Sequence, residues 1–98
     1  MQIELSKQEA DALLRALSDK CADLGKSGDT EAAELLNGVR ESLARARRRG
    51  EKLQMELSEN EIYWVRTAVR EKRIEHKKQG KDRAAELLYG IIQRIGGS

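Results

Sequence analysis

Apolar and polar residues alternate at the start of each half of the chain, at Met1, Ile3 and Leu5 and again at Leu53, Met55 and Leu57. Because successive side chains of a strand point to opposite faces, this period of two predicts a short β-strand in each place. The alternative is an extended leader whose leucine packs against the helix that follows. Two such strands could pair within one chain or between two chains.

Elsewhere apolar residues recur every three or four positions, which is the period of an amphipathic helix. This spacing predicts four helices, over residues 7–24, 31–49, 59–78 and 83–95. The first, second and fourth have continuous apolar stripes: Ala10, Leu13, Leu14, Leu17, Cys21 and Leu24; Ala32, Leu35, Leu36, Val39, Leu43 and Ala46; Ala84, Leu87, Leu88, Ile91 and Ile95. The fold class is therefore mainly α, as two antiparallel helical hairpins, each expected to follow a short strand.

The motif Ser-x-x-Glu follows each predicted strand, from Ser6 to Glu9 and from Ser58 to Glu61. In such a capping box the serine oxygen accepts from a backbone N–H of the first turn, and the glutamate accepts from the N–H of the serine. The motif therefore predicts that helices begin directly after Ser6 and Ser58.

The other helix ends are predicted from glycines and small polar residues. Gly25 and Gly28 are expected to end the first helix, and Thr30 and Asp82 are expected to cap the starts of the second and fourth helices. Gly96 and Gly97 predict the C-terminal stop of the fourth helix.

The two halves of the chain also repeat each other in sequence. Sliding residues 2–45 onto 54–97, an offset of 52, gives 15 identities in 44 positions, including Ala-Ala-Glu-Leu-Leu at 32–36 and 84–88. We interpret this as an internal duplication within one domain, with repeats over residues 1–50 and 51–98.

Several positions that are small or polar in the first repeat are large and apolar in the second. Asp11, Ala12, Asn37 and Arg40 correspond to Tyr63, Trp64, Tyr89 and Ile92. This additional apolar surface completes the core against the first repeat in one interpretation. In another it forms a homodimer or partner interface, and in a third it lines a small-molecule pocket.

The apolar stripe of the first helix is interrupted in the third, where Arg66, Arg73 and His76 replace Leu14, Cys21 and Leu24. Residues 71–79 are polar or charged except for Ile74. This half of the third helix is expected either to project into solvent or to pair with charges elsewhere.

Composition narrows the class of protein. The 98 residues contain 39% hydrophobic and 37% charged residues and no proline, which favours helix throughout. Cys21 is the only cysteine and no apolar run is long enough to span a membrane, so we expect a cytoplasmic protein without a disulfide. A net charge of +2 does not by itself indicate nucleic-acid binding.

No motif in the chain indicates catalysis, a cofactor or a metal site. Cys21 lies on an apolar stripe, where a thiol is inert, and His76 is the single histidine. We therefore expect a non-catalytic protein-interaction module that also forms a homodimer. The candidate anchors are Tyr63, Trp64, Tyr89 and Ile92, and the candidate steering charges are Arg66, Arg70 and Arg73.

The alternative function is association with nucleic acid. The densest basic run contains Arg45, Arg47, Arg48 and Arg49, which could contact phosphates. These cations also complement the dipole at the C-terminal end of a helix, so the run has a purely structural explanation as well. A second basic cluster contains Lys72, Arg73, Lys77, Lys78, Lys81 and Arg83.

Overall fold

The computed structural model of the protein describes residues 1–95. Strand β1 (Gln2–Glu4) precedes helices α1 (Lys7–Ser27) and α2 (Thr30–Arg49). Strand β2 (Gln54–Glu56) precedes helices α3 (Glu59–Lys78) and α4 (Asp82–Arg94). The protein is mainly helical, as the apolar periodicity predicts, and its two halves have the same order of elements.

Both predicted strands form, and they pair with each other within the chain. The pairing is antiparallel, with Ile3 opposite Met55. The N–H of Leu5 donates to the carbonyl of Leu53, and the N–H of Leu57 donates to the carbonyl of Met1, each at 2.8 Å. A two-stranded ribbon is only marginally stable alone. Here its alternate side chains are buried, because Ile3 and Met55 are only 4% and 6% exposed.

Both predicted capping boxes are confirmed. The hydroxyl of Ser6 accepts from the N–H of Glu9 at 3.1 Å, and the Glu9 carboxylate accepts from the N–H of Ser6 at 2.9 Å. At α3 the same two bonds between Ser58 and Glu61 measure 3.3 and 2.8 Å. Each box satisfies two of the N–H groups that the first turn of a helix leaves unpaired.

The caps at the two turns differ from the prediction. Helix α1 continues through Gly25 to Ser27 and ends at Gly28, whose positive φ of 85° is a backbone conformation that glycine adopts without strain. Asp29, not Thr30, caps α2, because its carboxylate accepts from the N–H of Ala32 at 3.2 Å.

Helix α4 begins after Lys81, whose side chain makes no capping bond, so Asp82 lies inside the first turn and is not the cap. A carboxylate in that position still interacts favourably with the positive end of the helix dipole. The predicted stop at Gly96 and Gly97 lies outside the described residues.

The core lies between the two hairpins α1–α2 and α3–α4. Helix α1 packs against α3 and α4, and α2 packs against α3. Ala16 on α1 and Ala68 on α3 are 1% and 2% exposed, and these small side chains allow the close approach of helix backbones. Of the 17 residues in the predicted stripes, 11 are buried, and the other six are only partly buried: Leu14, Cys21, Leu35, Ala46, Ala84 and Leu87.

Part of the polar half of α3 pairs with α1. Lys20 on α1 contacts Glu71 at 2.8 Å, and Lys72 on α3 forms an ion pair with Asp19. The two ion pairs are reciprocal: in each, a lysine of one helix contacts an acidic residue of the other. An offset of 52 relates the two lysines, Lys20 and Lys72, and the two acids, Asp19 and Glu71. The rest of this half is mostly exposed to solvent: Ile74 is 55% exposed, and residues 77–79 are exposed as well.

Candidate functional site

The four candidate anchor residues separate into exposed and buried ones. Tyr63 is 60% exposed and Tyr89 is 45% exposed. Trp64 is partly buried and packs against the core, and Ile92 is only 4% exposed and belongs to the core. The structure therefore places Ile92 where a partner cannot contact it, because α4 turns this side chain inward. Only the two tyrosines present substantial surface.

Tyr63 is oriented by its neighbour on α3. The rings of Tyr63 and Trp64 meet edge to face, with centroids 5.0 Å apart and planes at 87°. This geometry places the positive edge of one ring against the negative face of the other. Because Trp64 is fixed against the core, the exposed Tyr63 ring is held against a buried support.

Tyr89 is held by two side chains. The guanidinium carbon of Arg73 lies 4.7 Å from the centroid of the Tyr89 ring, within the range of a cation–π contact. The side-chain amide of Gln93 donates to the Tyr89 hydroxyl at 2.8 Å. Arg73 therefore fixes an exposed aromatic side chain instead of projecting freely as a steering charge.

The other two candidate steering arginines have different environments. Arg66 is partly buried, and its guanidinium donates to the carbonyl of Ile95 at 3.1 Å, beside the end of α4. Arg70 is exposed on α3. The replacement of Leu14 by Arg66 therefore adds a hydrogen-bond donor near the C-terminal end of a helix, where a cation is favourable.

The arginine run at the end of α2 is partly neutralised. Arg47 forms an ion pair with Asp11 at 3.2 Å, and Arg49 lies 3.6 Å from Glu51. Arg45 and Arg48 are exposed and have no acidic partner among residues 1–95. The second basic cluster contacts a different part of α1, because Lys72 forms an ion pair with Asp19.

Cys21 lacks the properties of an activated nucleophile. Burial raises the pKa of the Cys21 thiol, although the charge of Arg40 counteracts part of this effect. The thiol donates weakly to the carbonyl of Ala33 at 3.8 Å. Burial, together with the positive charge of Lys72, lowers the pKa of His76. Cys21 is therefore a protonated thiol at neutral pH, which is a poor nucleophile.

A partly buried ion pair that the sequence pattern does not predict joins the first turn of α1 to the last turn of α4. Two nitrogens of Arg94 contact the two carboxylate oxygens of Glu9, each at 2.6 Å, and one also donates to the carbonyl of Glu4 at 3.0 Å. Burial raises the pKa of Glu9, but the bonds from Arg94 and Ser6 and the charge of Arg94 together lower it below its ordinary value. Glu9 is thus ionised although only 7% exposed.

A cavity of about 240 Å³ lies beside the other capping glutamate, Glu61. Its walls are formed by residues 38–43 of α2 and by residues 54–57 around β2. Glu61 has no lysine or arginine partner within residues 1–95. The sequence contains one signal that Glu61 lacks the arginine partner of Glu9, since the offset of 52 relates Arg94 to Ser42.

Neither a metal centre nor a membrane span is found in the described chain. No group of three or more His, Cys, Asp or Glu side chains within residues 1–95 could hold a metal ion. None of the helices in that range is both long and apolar enough to cross a bilayer.

Comparison with models of protein families, with curated proteins and with solved structures finds no match to this chain. Its function must therefore be inferred from its own residues and their arrangement.

Proposed function

We propose that the protein is a non-catalytic interaction module that binds another protein through the surface around Tyr63 and Tyr89. The observation that carries this proposal is the exposure of both rings, 60% and 45%, on a protein whose core is closed by other residues. Tyrosine is frequent at the energetic centres of protein interfaces, because it buries a large ring and retains a hydroxyl for hydrogen bonding.

The support given to each ring strengthens the proposal. Tyr63 rests on Trp64, and Tyr89 is held by Arg73 and Gln93. A side chain that is already ordered loses less conformational entropy on binding than a free one. Both rings are therefore suited to act as pre-positioned anchors.

A second copy of the chain is the first partner to consider. In this proposal the two hairpins are tandem repeats from a duplication, and the tyrosines of the second repeat are an adaptation for homodimer formation. The sequence identities at an offset of 52 and the matching capping boxes of α1 and α3 support the duplication.

The absence of catalysis is also part of the proposal. The raised pKa of Cys21 and the lowered pKa of the buried His76 keep both side chains neutral near pH 7. We therefore assign both residues to packing. The proposal also includes no cofactor. In this proposal the two exposed tyrosines are the binding residues, and their partner is a protein.

Measuring the molar mass by light scattering, as the protein elutes from a size-exclusion column, tests the self-association. We expect the mass of the wild-type protein to rise with concentration from 11.1 kDa towards twice that value. The double variant Tyr63→Ser/Tyr89→Ser should remain at the lower mass. Ile74→Ser is the matched control, since Ile74 is 55% exposed but lies outside the proposed surface, and it should behave as the wild type.

Circular dichroism of each variant shows whether the fold is retained. Equal masses for the wild type and the tyrosine variant, with both folded, would refute the role of the two rings in self-association. An equal loss of association in Ile74→Ser would assign the interface to a different or broader surface.

Nucleic-acid binding through Arg45, Arg47, Arg48 and Arg49 is the second candidate. The observation in its favour is that Arg45 and Arg48 are exposed and make no ion pair with the described residues. It is the weaker candidate because Arg47 and Arg49 already contact acidic groups. Measuring the affinity for a DNA or RNA duplex at several salt concentrations tests it, since phosphate contacts predict a steep decrease with salt.

A further inference from the structure

The cavity beside Glu61 has a counterpart in the other half of the molecule. Glu9 and Glu61 each lie three residues after a capping serine and are related by the offset of 52. The same offset relates residues 38–43 and 54–57, which line the cavity, to residues 90–95 and 2–5. The two places are therefore built from corresponding parts of the chain.

The counterpart is filled by a guanidinium group. There Arg94 donates one hydrogen bond of 2.6 Å to the Glu9 carboxylate and lies 2.6 Å from its other oxygen in an ion pair, and it also donates to the carbonyl of Glu4 at 3.0 Å. Helix α4 lies against this carboxylate, because a Cβ placed on Gly90 would be in ordinary van der Waals contact with Glu9 Oε2, at 3.8 Å. A carboxylate and a strand carbonyl together thus form an acceptor set that matches the planar arginine fork.

In the cavity, the acceptor groups are present without the arginine. Ser42 corresponds to Arg94 and is too short to reach across, and a Cβ placed on Gly38 would meet no atom within 4 Å. One oxygen of Glu61 accepts from the N–H of Ser58 at 2.8 Å, as the equivalent oxygen of Glu9 also does. The Glu4 carbonyl corresponds to that of Glu56, another residue that lines the cavity.

We infer that this cavity binds the guanidinium group of an arginine side chain presented by a partner protein. The paired bonds at Glu9 favour arginine over lysine, whose ammonium is a point charge without the planar fork. A free arginine would bring its own carboxylate close to Glu61, whereas an arginine within a peptide has a neutral backbone. This inference rests on the proposed function only because it takes the arginine to belong to a partner protein.

A titration of isotope-labelled protein followed by NMR tests the inference. The probe is N-acetyl-arginine N-methylamide, and its neutral, nearly isosteric control is N-acetyl-citrulline N-methylamide. We expect the arginine probe to shift the amide signals of Gly38, Ser42 and Glu61, and the citrulline probe to leave them unchanged. Free arginine should bind more weakly than the capped probe.

Two variants locate the site. Glu61→Gln should weaken binding about tenfold or more, because it removes the charge while a glutamine can still complete the capping box. Ser42→Arg should abolish binding, because its own guanidinium fills the cavity as Arg94 fills the counterpart. Ser27→Arg adds the same charge at an exposed position outside the cavity and should leave the binding unchanged.

Equal binding of the arginine and citrulline probes, or unchanged binding by Glu61→Gln, would overturn the inference. Equal affinity for free and capped arginine would overturn the assignment to a partner side chain. If Ser42→Arg does not fold, Glu61→Gln still decides the outcome. Loss of self-association in the tyrosine variants with intact arginine binding would concern only the proposed function, so the two failures are distinguishable.

Discussion

Replacing Arg94 with methionine tests the role of its ion pair with Glu9 in the fold. Methionine keeps an unbranched apolar side chain and removes the guanidinium from the Glu9 carboxylate. In the wild type this contact consists of one hydrogen bond and one ion-pair contact, each of 2.6 Å, and the side chains of Arg94 and Glu9 are 44% and 9% exposed. The variant therefore leaves a buried carboxylate that still accepts from the N–H of Ser6.

The expected loss of stability lies between two limits. Breaking a fully buried ion pair costs about 3–5 kcal/mol, and an exposed pair contributes roughly 0–1 kcal/mol. Because Arg94 is nearly half exposed while Glu9 is buried, we expect about 2 kcal/mol. For a domain of this size, such a change lowers the melting temperature by roughly 8–16 °C.

The pH dependence has a definite sign. The pKa of Glu9 is below its ordinary value in the folded protein, so its ionisation stabilises the fold above that ordinary value. The stabilisation is lost as the pH falls through the folded-state pKa, where Glu9 becomes protonated. The difference between wild type and Arg94→Met should therefore be largest near neutral pH and decrease in acid.

Urea denaturation of both proteins at neutral and acidic pH measures this difference. Arg48→Met is the matched control, because Arg48 is an exposed arginine in the last turn of α2 and should change stability by less than about 0.5 kcal/mol. Equal stability of wild type and Arg94→Met at neutral pH would refute the reasoning. A loss that is the same at every pH would show that Arg94 stabilises by packing instead of by its charge.

Two further predictions concern individual helices. Ser6→Ala and Ser58→Ala should each lower the free energy of unfolding by about 1 kcal/mol, because each removes the hydroxyl of a capping box; urea titration measures both, and no loss at either site would contradict the assigned caps. His76→Leu, which restores the residue type of Leu24, should stabilise the protein mainly at acidic pH. The buried His76 has a lowered pKa and faces Lys72, Lys81 and Arg15 as well as Glu75, so protonating it opposes folding; a pH-independent effect in melting experiments would contradict this explanation.

The strands and the helix starts were predictable wherever the sequence pattern that specifies them spans only a few residues. The alternation around Ile3 and Met55 predicted both strands, and the Ser-x-x-Glu motifs predicted where α1 and α3 begin. The caps of α2 and α4 were less predictable, because Asp29 and Thr30 are adjacent and both residue types cap helices well. Which of the two does so depends on where α1 ends, at Gly28.

The candidate site was predictable only in part, because exposure depends on contacts between distant residues. Tyr63, Trp64, Tyr89 and Ile92 form one set when the two halves of the sequence are compared at an offset of 52. The structure leaves the tyrosines exposed and buries Ile92, since the packing of α4 against the rest of the core determines which side of the helix faces inward.

The sequence by itself therefore determined the helical class, the strands and the two capping boxes, since each depends on periodicity or on groups within one turn. Only the tertiary structure decided that β1 pairs with β2 in the same chain and that Arg94 reaches Glu9 across 85 residues. It also decided that Glu61 borders a cavity without such a partner. The physical reason is that burial and ion pairing depend on distances in space, which local patterns along a chain do not specify.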